Sequence, residues 1–335
     1  MTRKDVSDAA AALHGDALFW DMTMPWRMPG DPALRAALPG QLVEGGYDAV
    51  SITVATDDDD SASALAGIAE ARHAFGRDPE RFRLIDGVDD ILAAKAGGQI
   101  AVGLHFQGSR PVGRDLRLVE AFYKLGIRHM LMAYNQKNFV GDGCHELTDG
   151  GLSGFGRELI AEMNRVGMMV DIAHTGLASS LEAVERSTAP VIISHSNAWA
   201  LRQHPRCVRD EQIRAVAATG GVVGITGLGI FLAENDASPT RFVDHVDHAV
   251  NLVGVEHVGI GFDYMYDLPY LTELVVNSGG KWPKEWGYTT PDIEQIRPWR
   301  AVEVTQALLD RGYAEADVRA ILGGNWLRVA KAVWR

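Results

Sequence analysis

The sequence predicts an α/β fold, a (β/α)8 TIM-type barrel, on three observations. Eight short β-branched or apolar runs alternate with longer segments of helical period. The runs are apolar almost throughout, as strands buried on both faces of a parallel sheet must be. The length, 335 residues, suits one large barrel with insertions. A Gly-x-Gly-x-x-Gly turn after the first strand, which would favour an open dinucleotide-binding sheet, is absent.

The candidate strands in order are 17–21 (ALFWD), 47–55 (YDAVSITVA), 99–106 (QIAVGLHF) and 127–134 (IRHMLMAY), then 168–174 (MMVDIAH), 190–195 (PVIISH), 221–226 (GVVGIT) and 257–263 (HVGIGFD). Helices fill the gaps. Segment 61–75 is Ala-rich and follows the acidic run 57–60, which suits the positive end of a helix. Segment 114–125 spaces Leu116, Val119, Phe122 and Leu125 along one face and stops at Gly126. Segment 155–166 stops at Gly167, and segment 210–219 has Asp210 as its cap and Gly220 beyond its end. Segment 241–253 leads into the last strand. Residues 268–297, rich in Gly, Trp and Pro, read as a long loop after it, of the kind that forms lids or binding elements. No linker tract or repeat divides the chain, so residues 1–335 are read as a single domain.

Composition narrows the partners. Lys plus Arg is 32 against 44 Asp plus Glu, a formal charge of −12, which provides no overall attraction for nucleic acid or anionic lipid. Two cysteines cannot make a disulfide framework or a four-cysteine zinc site. The N-terminal segment lacks the apolar run of a signal peptide, and no stretch reaches the roughly 20 apolar residues of a membrane span. A cytoplasmic protein acting on small molecules is expected, with no membrane or nucleic-acid partner.

In a barrel the chemistry sits at the carboxyl ends of the strands. Those ends offer Thr23, Pro25, Gln107, Tyr134, His174, His195 and Asp263. Two histidines close consecutive strands, and neighbouring strands lie about 4.8 Å apart. Both imidazoles can therefore reach one divalent ion while Asp263 holds or deprotonates a water, an arrangement for metal-assisted hydrolysis. The alternative is a pair of hydrogen-bonded structural histidines. His245 and His248, at i and i+3 of a helix, are either a surface metal pair or packing residues. His105, two before Gln107, points the same way as that residue.

These motifs resemble the membrane (renal) dipeptidase family, zinc metallopeptidases of the amidohydrolase-like barrel type. The resemblance is carried by LGIRHMLMAYNQKNFVGDGCHELTDGGLSGFGRELIAEMNRVGMMVDIAHT, PVIISHSNAWAL, HPRCVRDEQIRAVAATGGVVGI, DHVDHAVNLVGVEHVGIGFD and ILGGNWLRV, over roughly residues 17 to 329. It implies that His174 and His195 ligate one of the family's two zinc ions. It further implies that Asp263 is the catalytic aspartate after the final strand, that Arg206 binds a substrate carboxylate, and that the protein is a homodimer. For Arg206 an ion pair with Asp210 or Glu211 is the alternative.

Four positions depart from the family. Thr23 and Pro25 stand where a His-x-Asp pair holds the other zinc, Gln107 replaces the bridging glutamate, and Tyr134 replaces a substrate-contacting histidine. Neither Thr23 nor Pro25 can replace the lost ligands. The expectation is a dipeptidase-like, metal-dependent hydrolase of small amides, either dipeptides or N-acyl amino acids. It would use one divalent ion, zinc or another, on His174 and His195, with Gln107 or Asp263 as third ligand. Asp263 and Tyr134 would be catalytic, Arg206 and Tyr134 would hold substrate, and Cys144, His145 and Glu146 are conceivable replacement ligands. The mouth would be lined by Trp20, Trp26, Phe106 and Tyr264. The alternatives are a metal-free path, a lyase or isomerase acting on an amino-acid-like compound, and a catalytically silent binding protein on the same barrel.

Overall fold

The computed structural model describes residues 6–27, 30–278, 282–290 and 292–335. Its strands are β1 (Trp20–Pro25), β2 (Ala49–Thr56), β3 (Phe82–Leu84), β4 (Ile100–Gln107), β5 (Ile127–Leu131), β6 (Met169–Asp171), β7 (Ile192–Ser196), β8 (Val222–Ile225) and β9 (Val258–Ile260). All their pairings are parallel, and each connection carries one or more helices, as parallel neighbours require. Eight strands close into a barrel: β9 meets β1 at Ile260 and Asp21, and β2 pairs with β4 from Ala49–Ala101 to Thr56–Gln107. The ninth, β3, flanks only the first half of β4, while β5 takes the second half. At three residues it is too short to stand out in the sequence.

Several boundaries differ from the sequence reading, for physical reasons. The first strand continues past Asp21 to Pro25, because the buried Asp21 carboxylate accepts N–H bonds from Thr23 and Phe262 and so does not interrupt the ladder. By contrast β6 and β9 stop three residues before His174 and Asp263. Both residues take a left-handed backbone (φ 59° each), which ends the extended run. Asp60, not the whole acidic run, caps the helix Ser61–Gly76, in a reciprocal bond pair with Ser63. Asp210 opens the helix Asp210–Ala218 but does not cap it; its carboxylate binds His248.

Residues 268–297 are not an unstructured loop. They contain the helix Leu268–Asn277, started by the Asp267 side chain accepting from the Tyr270 N–H, and a short turn of helix at Lys284–Trp286. Leu268, Leu271, Val275, Trp282, Trp286 and Tyr288 pack against Leu228, Ile230 and Phe231, forming a roof over the mouth. The opposite end of the barrel is sealed by the C-terminal helix Asn325–Val333. Its Trp326 indole N–H donates to the Ile260 carbonyl at 3.0 Å. A side chain at Gly259 would begin 2.6 Å from that indole, so glycine is required there. Among the described residues no helix is long and apolar enough to cross a membrane.

Candidate active site

Two buried aspartates hold the strand ends that carry the site. Asp171 Oδ1 accepts from the N–H groups of Ala173 and Ser194, one residue before His174 and His195 respectively. Asp21 does the same for Thr23 and Phe262, the latter one residue before Asp263. Each carboxylate therefore ties two chain segments together directly beneath a site residue.

The two imidazoles meet. His174 Nε2 and His195 Nε2 lie 2.9 Å apart, with ring planes at 60°. Both rings are anchored from behind: His174 Nδ1 to Asn135 Oδ1 at 2.6 Å, and His195 Nδ1 to Ser194 Oγ at 2.7 Å and Thr23 Oγ1 at 3.2 Å. A ring whose Nδ1–H donates to an amide oxygen presents a lone pair at Nε2, the form a metal ion needs. Burial, reinforced by the Arg206 charge, holds His195 well below the usual histidine range, so it stays neutral.

Asn135, His174 and Asp263 all have φ near 60°. Three non-glycine residues in that region around one chamber is the kind of backbone strain that clusters at functional sites. Asp263 is buried, one carboxylate oxygen has no hydrogen-bond partner, and burial pushes its pKa up to about 7 against the opposing pull of Arg206. Tyr134 stacks on His174 with ring centroids 4.1 Å apart. Burial, with the nearby Asp263 charge, keeps its phenol protonated far above the ordinary range. Arg206 is buried, donates from Nη2 to the His195 carbonyl at 3.2 Å, and lies over the Phe231 ring. Its Nε has no partner.

His174, Asp263, Tyr134 and Arg206 face one small chamber of about 50 Å³ under Leu271, Val275 and Trp282. Gln107 and Tyr134 open on a second cavity of about 470 Å³. Gln107 donates to Thr53 Oγ1 at 2.9 Å, and His105, two residues earlier on β4, reaches the same hydroxyl at 2.9 Å.

Other expectations are corrected. Trp20 is sealed at the far end beside Trp334, and Phe106 packs on Phe122, so neither lines the mouth. Trp26 packs on Phe75 and Tyr264 on Trp299, leaving Tyr134, Trp282, Met265 and Leu271 as the walls. Cys144 bonds Asn135, His145 bonds Tyr288, and Glu146 accepts from the Lys137 N–H. They line a separate cavity of about 280 Å³ that also touches His174 and Arg206. His245 is buried between the Ala198 N–H and the Leu232 carbonyl, and His248 binds Asp210, so this pair ties its helix to neighbouring segments. Thr23 steadies His195.

Sequence reasoning missed Asn135, Ser194 and Asp57. Asp57 accepts from the Tyr134 and Arg110 N–H groups and from Asn138, pinning the loop that presents Tyr134. Asn135 had a signal, its place directly after a strand-end residue. Asp57 had none, being one of four consecutive aspartates.

A family model described as membrane dipeptidase, peptidase family M19, matches residues 25–271. The chain is similar to an uncharacterized dipeptidase of Schizosaccharomyces pombe, 35% identical over 190 residues, which are 54% of this chain and 46% of that protein. It is also similar to dipeptidase verJ of Clonostachys rogersoniana, 30% identical over 259 residues, 76% of this chain and 61% of that protein. The chain thus spans about half to three fifths of these curated relatives. Among solved structures it is similar to an amidohydrolase from Pseudomonas aeruginosa, with 30% identity, a TM-score of 0.88, and coverage of 97% of this chain and 99% of that one.

Proposed function

The chain belongs to the membrane dipeptidase family, and from that premise we propose that it is a metal-dependent hydrolase of small amide substrates. One observation carries the reading: His174 and His195 turn their Nε2 atoms toward each other at 2.9 Å while both Nδ1 atoms are held from behind. Two nitrogens on one tetrahedral zinc, at about 2.0–2.1 Å each, lie roughly 3.3 Å apart. The pair therefore needs only a small separation to hold an ion.

Among the described residues no three His, Cys, Asp or Glu side chains gather closely enough to share an ion. An ion held by the two imidazoles would therefore need oxygen donors to complete its shell. The Gln107 carbonyl is the remaining neutral donor, since its amide nitrogen is committed to Thr53. When bound, the ion supplies Lewis-acid polarisation and acidifies water.

The remaining chemistry falls to this chain's own groups. Arg206 receives the substrate carboxylate through its guanidinium, whose Nε is unpartnered. The Tyr134 hydroxyl, kept protonated, orients the scissile carbonyl. Asp263 takes the proton of the attacking water and returns it to the departing amine. The test is metal content of the purified protein together with hydrolysis of a panel of dipeptides and N-acyl amino acids. About one equivalent per chain, lost in both His174→Ala and His195→Ala along with activity, is expected. Full activity in either variant would overturn the assignment.

A further inference from the structure

The proposed chemistry leaves two buried polar residues beneath the mouth without a task. Thr53 on β2 and His105 on β4 are register partners in the sheet, and His105 and Gln107, two residues apart, share one face of β4. All three are buried, as is Asp263. Thr53 Oγ1 lies 2.9 Å from Gln107 Nε2 and 2.9 Å from His105 Nε2. Gln107 also hydrogen-bonds the Asp263 carboxylate. A continuous chain, His105–Thr53–Gln107–Asp263, therefore runs from the barrel interior to the proposed base.

Its polarity follows from the donors available. A primary amide has two N–H groups and one acceptor oxygen, and an ionised carboxylate only accepts. The Gln107 nitrogen therefore gives one N–H to Asp263 and the other to Thr53 Oγ1. The Thr53 hydroxyl proton is then left for His105 Nε2, the remaining acceptor among its bonds. Burial, with the charges of His129 and His195, holds His105 well below the usual histidine range, so the ring is neutral and can accept. Its Nδ1 has no partner, which makes the Thr53 bond the only hydrogen bond of this ring among the described residues. The ring is held in place by stacking on His129 at 4.2 Å and 15°, and His129 Nδ1 meets Asp171 Oδ2 at 3.1 Å. A flipped Gln107 amide would turn its oxygen toward the carboxylate and lose both bonds. A glutamate in its place has no N–H for either partner.

Resting on the hydrolase reading, we propose that Thr53 and His105 are positioning residues for the base. They lock the Gln107 amide with one N–H on the Asp263 carboxylate, which steers the unpartnered Asp263 Oδ1 toward the attacking water. Gln107 serves Asp263 through its nitrogen and leaves its carbonyl oxygen to other partners. The three residues act as a unit, each fixing the next, and none of them exchanges a proton with substrate.

The test reads the amide directly. In a proton–nitrogen correlation spectrum of the whole protein, the Gln107 side-chain NH₂ pair is identified by its loss in Gln107→Leu. Thr53→Val removes the acceptor and is expected to move one proton of that pair upfield, whereas Thr53→Ser keeps the acceptor and the position. His105→Phe preserves the stack on His129 and should move the same proton the same way, by less. An unmoved signal in Thr53→Val or His105→Phe, or an equal shift in Thr53→Ser, overturns the proposal. Kinetics supply a second readout. Partners that orient a working group are typically worth about 10- to 100-fold, so Thr53→Val should lower kcat by that factor with KM nearly unchanged. Thr53→Ser should restore most of it. In the Asp263→Asn background Thr53→Val should change kcat by less than about twofold, because residues that act through one another are not additive. An additive loss would place the role of Thr53 in the fold and overturn the relay. The two readings fail separately. The expected shifts without turnover of any dipeptide or N-acyl amino acid sink the hydrolase and keep the locked amide. Turnover with an unmoved amide signal does the reverse.

Discussion

The two sides of the barrel mouth are built on opposite physical principles. On the side of β6, β7 and β9, His174, His195 and Asp263 are buried, and His174 and Asp263 take left-handed backbone angles. Their supports, Asn135, Ser194 and Asp171, hold the two rings and their strand ends to within a hydrogen bond. On the side of β1, β2 and β4, the strand ends carry Pro25, Thr56 and Gln107, and the space above them is a cavity of about 470 Å³. One side is rigid, strained and polar, and suited to chemistry. The other is roomy, lined by apolar side chains together with Arg27, Arg35, Asp58, Asp59 and Glu70, and suited to binding. The two proposed imidazole ligands, His174 and His195, lie on the first side, and the second offers the Gln107 amide.

The largest expected effect is loss of the proton-transfer group on the rigid side. Asp263→Asn keeps the shape and removes the base, and general acid–base groups contribute about 10²–10⁴-fold to rate. Steady-state kinetics should show kcat reduced by that range with metal content unchanged. An unaltered kcat would mean that the chemistry lies elsewhere in the mouth, and the contrast between the two sides would collapse.

Next is the aspartate that fastens the two sides together. Asp21, on β1, is fully buried and its pKa is pushed up to about 7 by desolvation, outweighing the N–H groups of Thr23 and Phe262 and the Tyr47 hydroxyl. The folded protein therefore holds a proton that the unfolded chain releases near pH 4. The stability from this group is fully present below that pH and is lost as pH rises through about 7, amounting to the order of 4 kcal/mol. Asp21→Asn keeps acceptors for both N–H groups and has no such pH dependence. Urea melts from pH 4.5 to 8.5 should show the variant gaining on the wild type as pH rises, with the difference levelling above about 8. A constant difference would show that Asp21 is already ionised in the folded state.

Much of the fold is legible in the sequence because parallel strands announce themselves as apolar runs. All eight barrel strands are visible that way, and β3 escapes because three residues carry no pattern. The roof helix Leu268–Asn277 escapes because the segment that follows it is rich in Gly, Trp and Pro, and only Asp267 and the following Pro269 mark its start. Within the site, His174, His195 and Asp263 stand out as polar residues ending apolar runs. Asn135 and Asp57 do not, since their roles depend on contacts 39 and 77 residues away. Trp20, Trp26, Phe106 and Tyr264 mislead because an aromatic near a strand end faces the barrel wall as readily as its mouth.

A smaller effect probes the rigid side through its supports. Asn135→Ala removes the acceptor that fixes His174 Nδ1, and partners of this kind typically change metal affinity 10- to 100-fold. Competition against a chelator should show that loss, with the folded stability little changed. The smallest effect is the most informative about the roomy side. Gln107→Glu restores a carboxylate where the family bridges two ions, yet a second ion also needs donors from β1. Pro25 has none to offer, and the Thr23 hydroxyl already contacts His195 Nδ1. The new charge would face Thr53 and the Asp263 carboxylate, raising its own pKa without assembling a site. Elemental analysis should therefore still find about one ion per chain. Two equivalents would show that a single residue separates the binding side from a metal side, and that the difference between the halves lies in Gln107 rather than in the first strand.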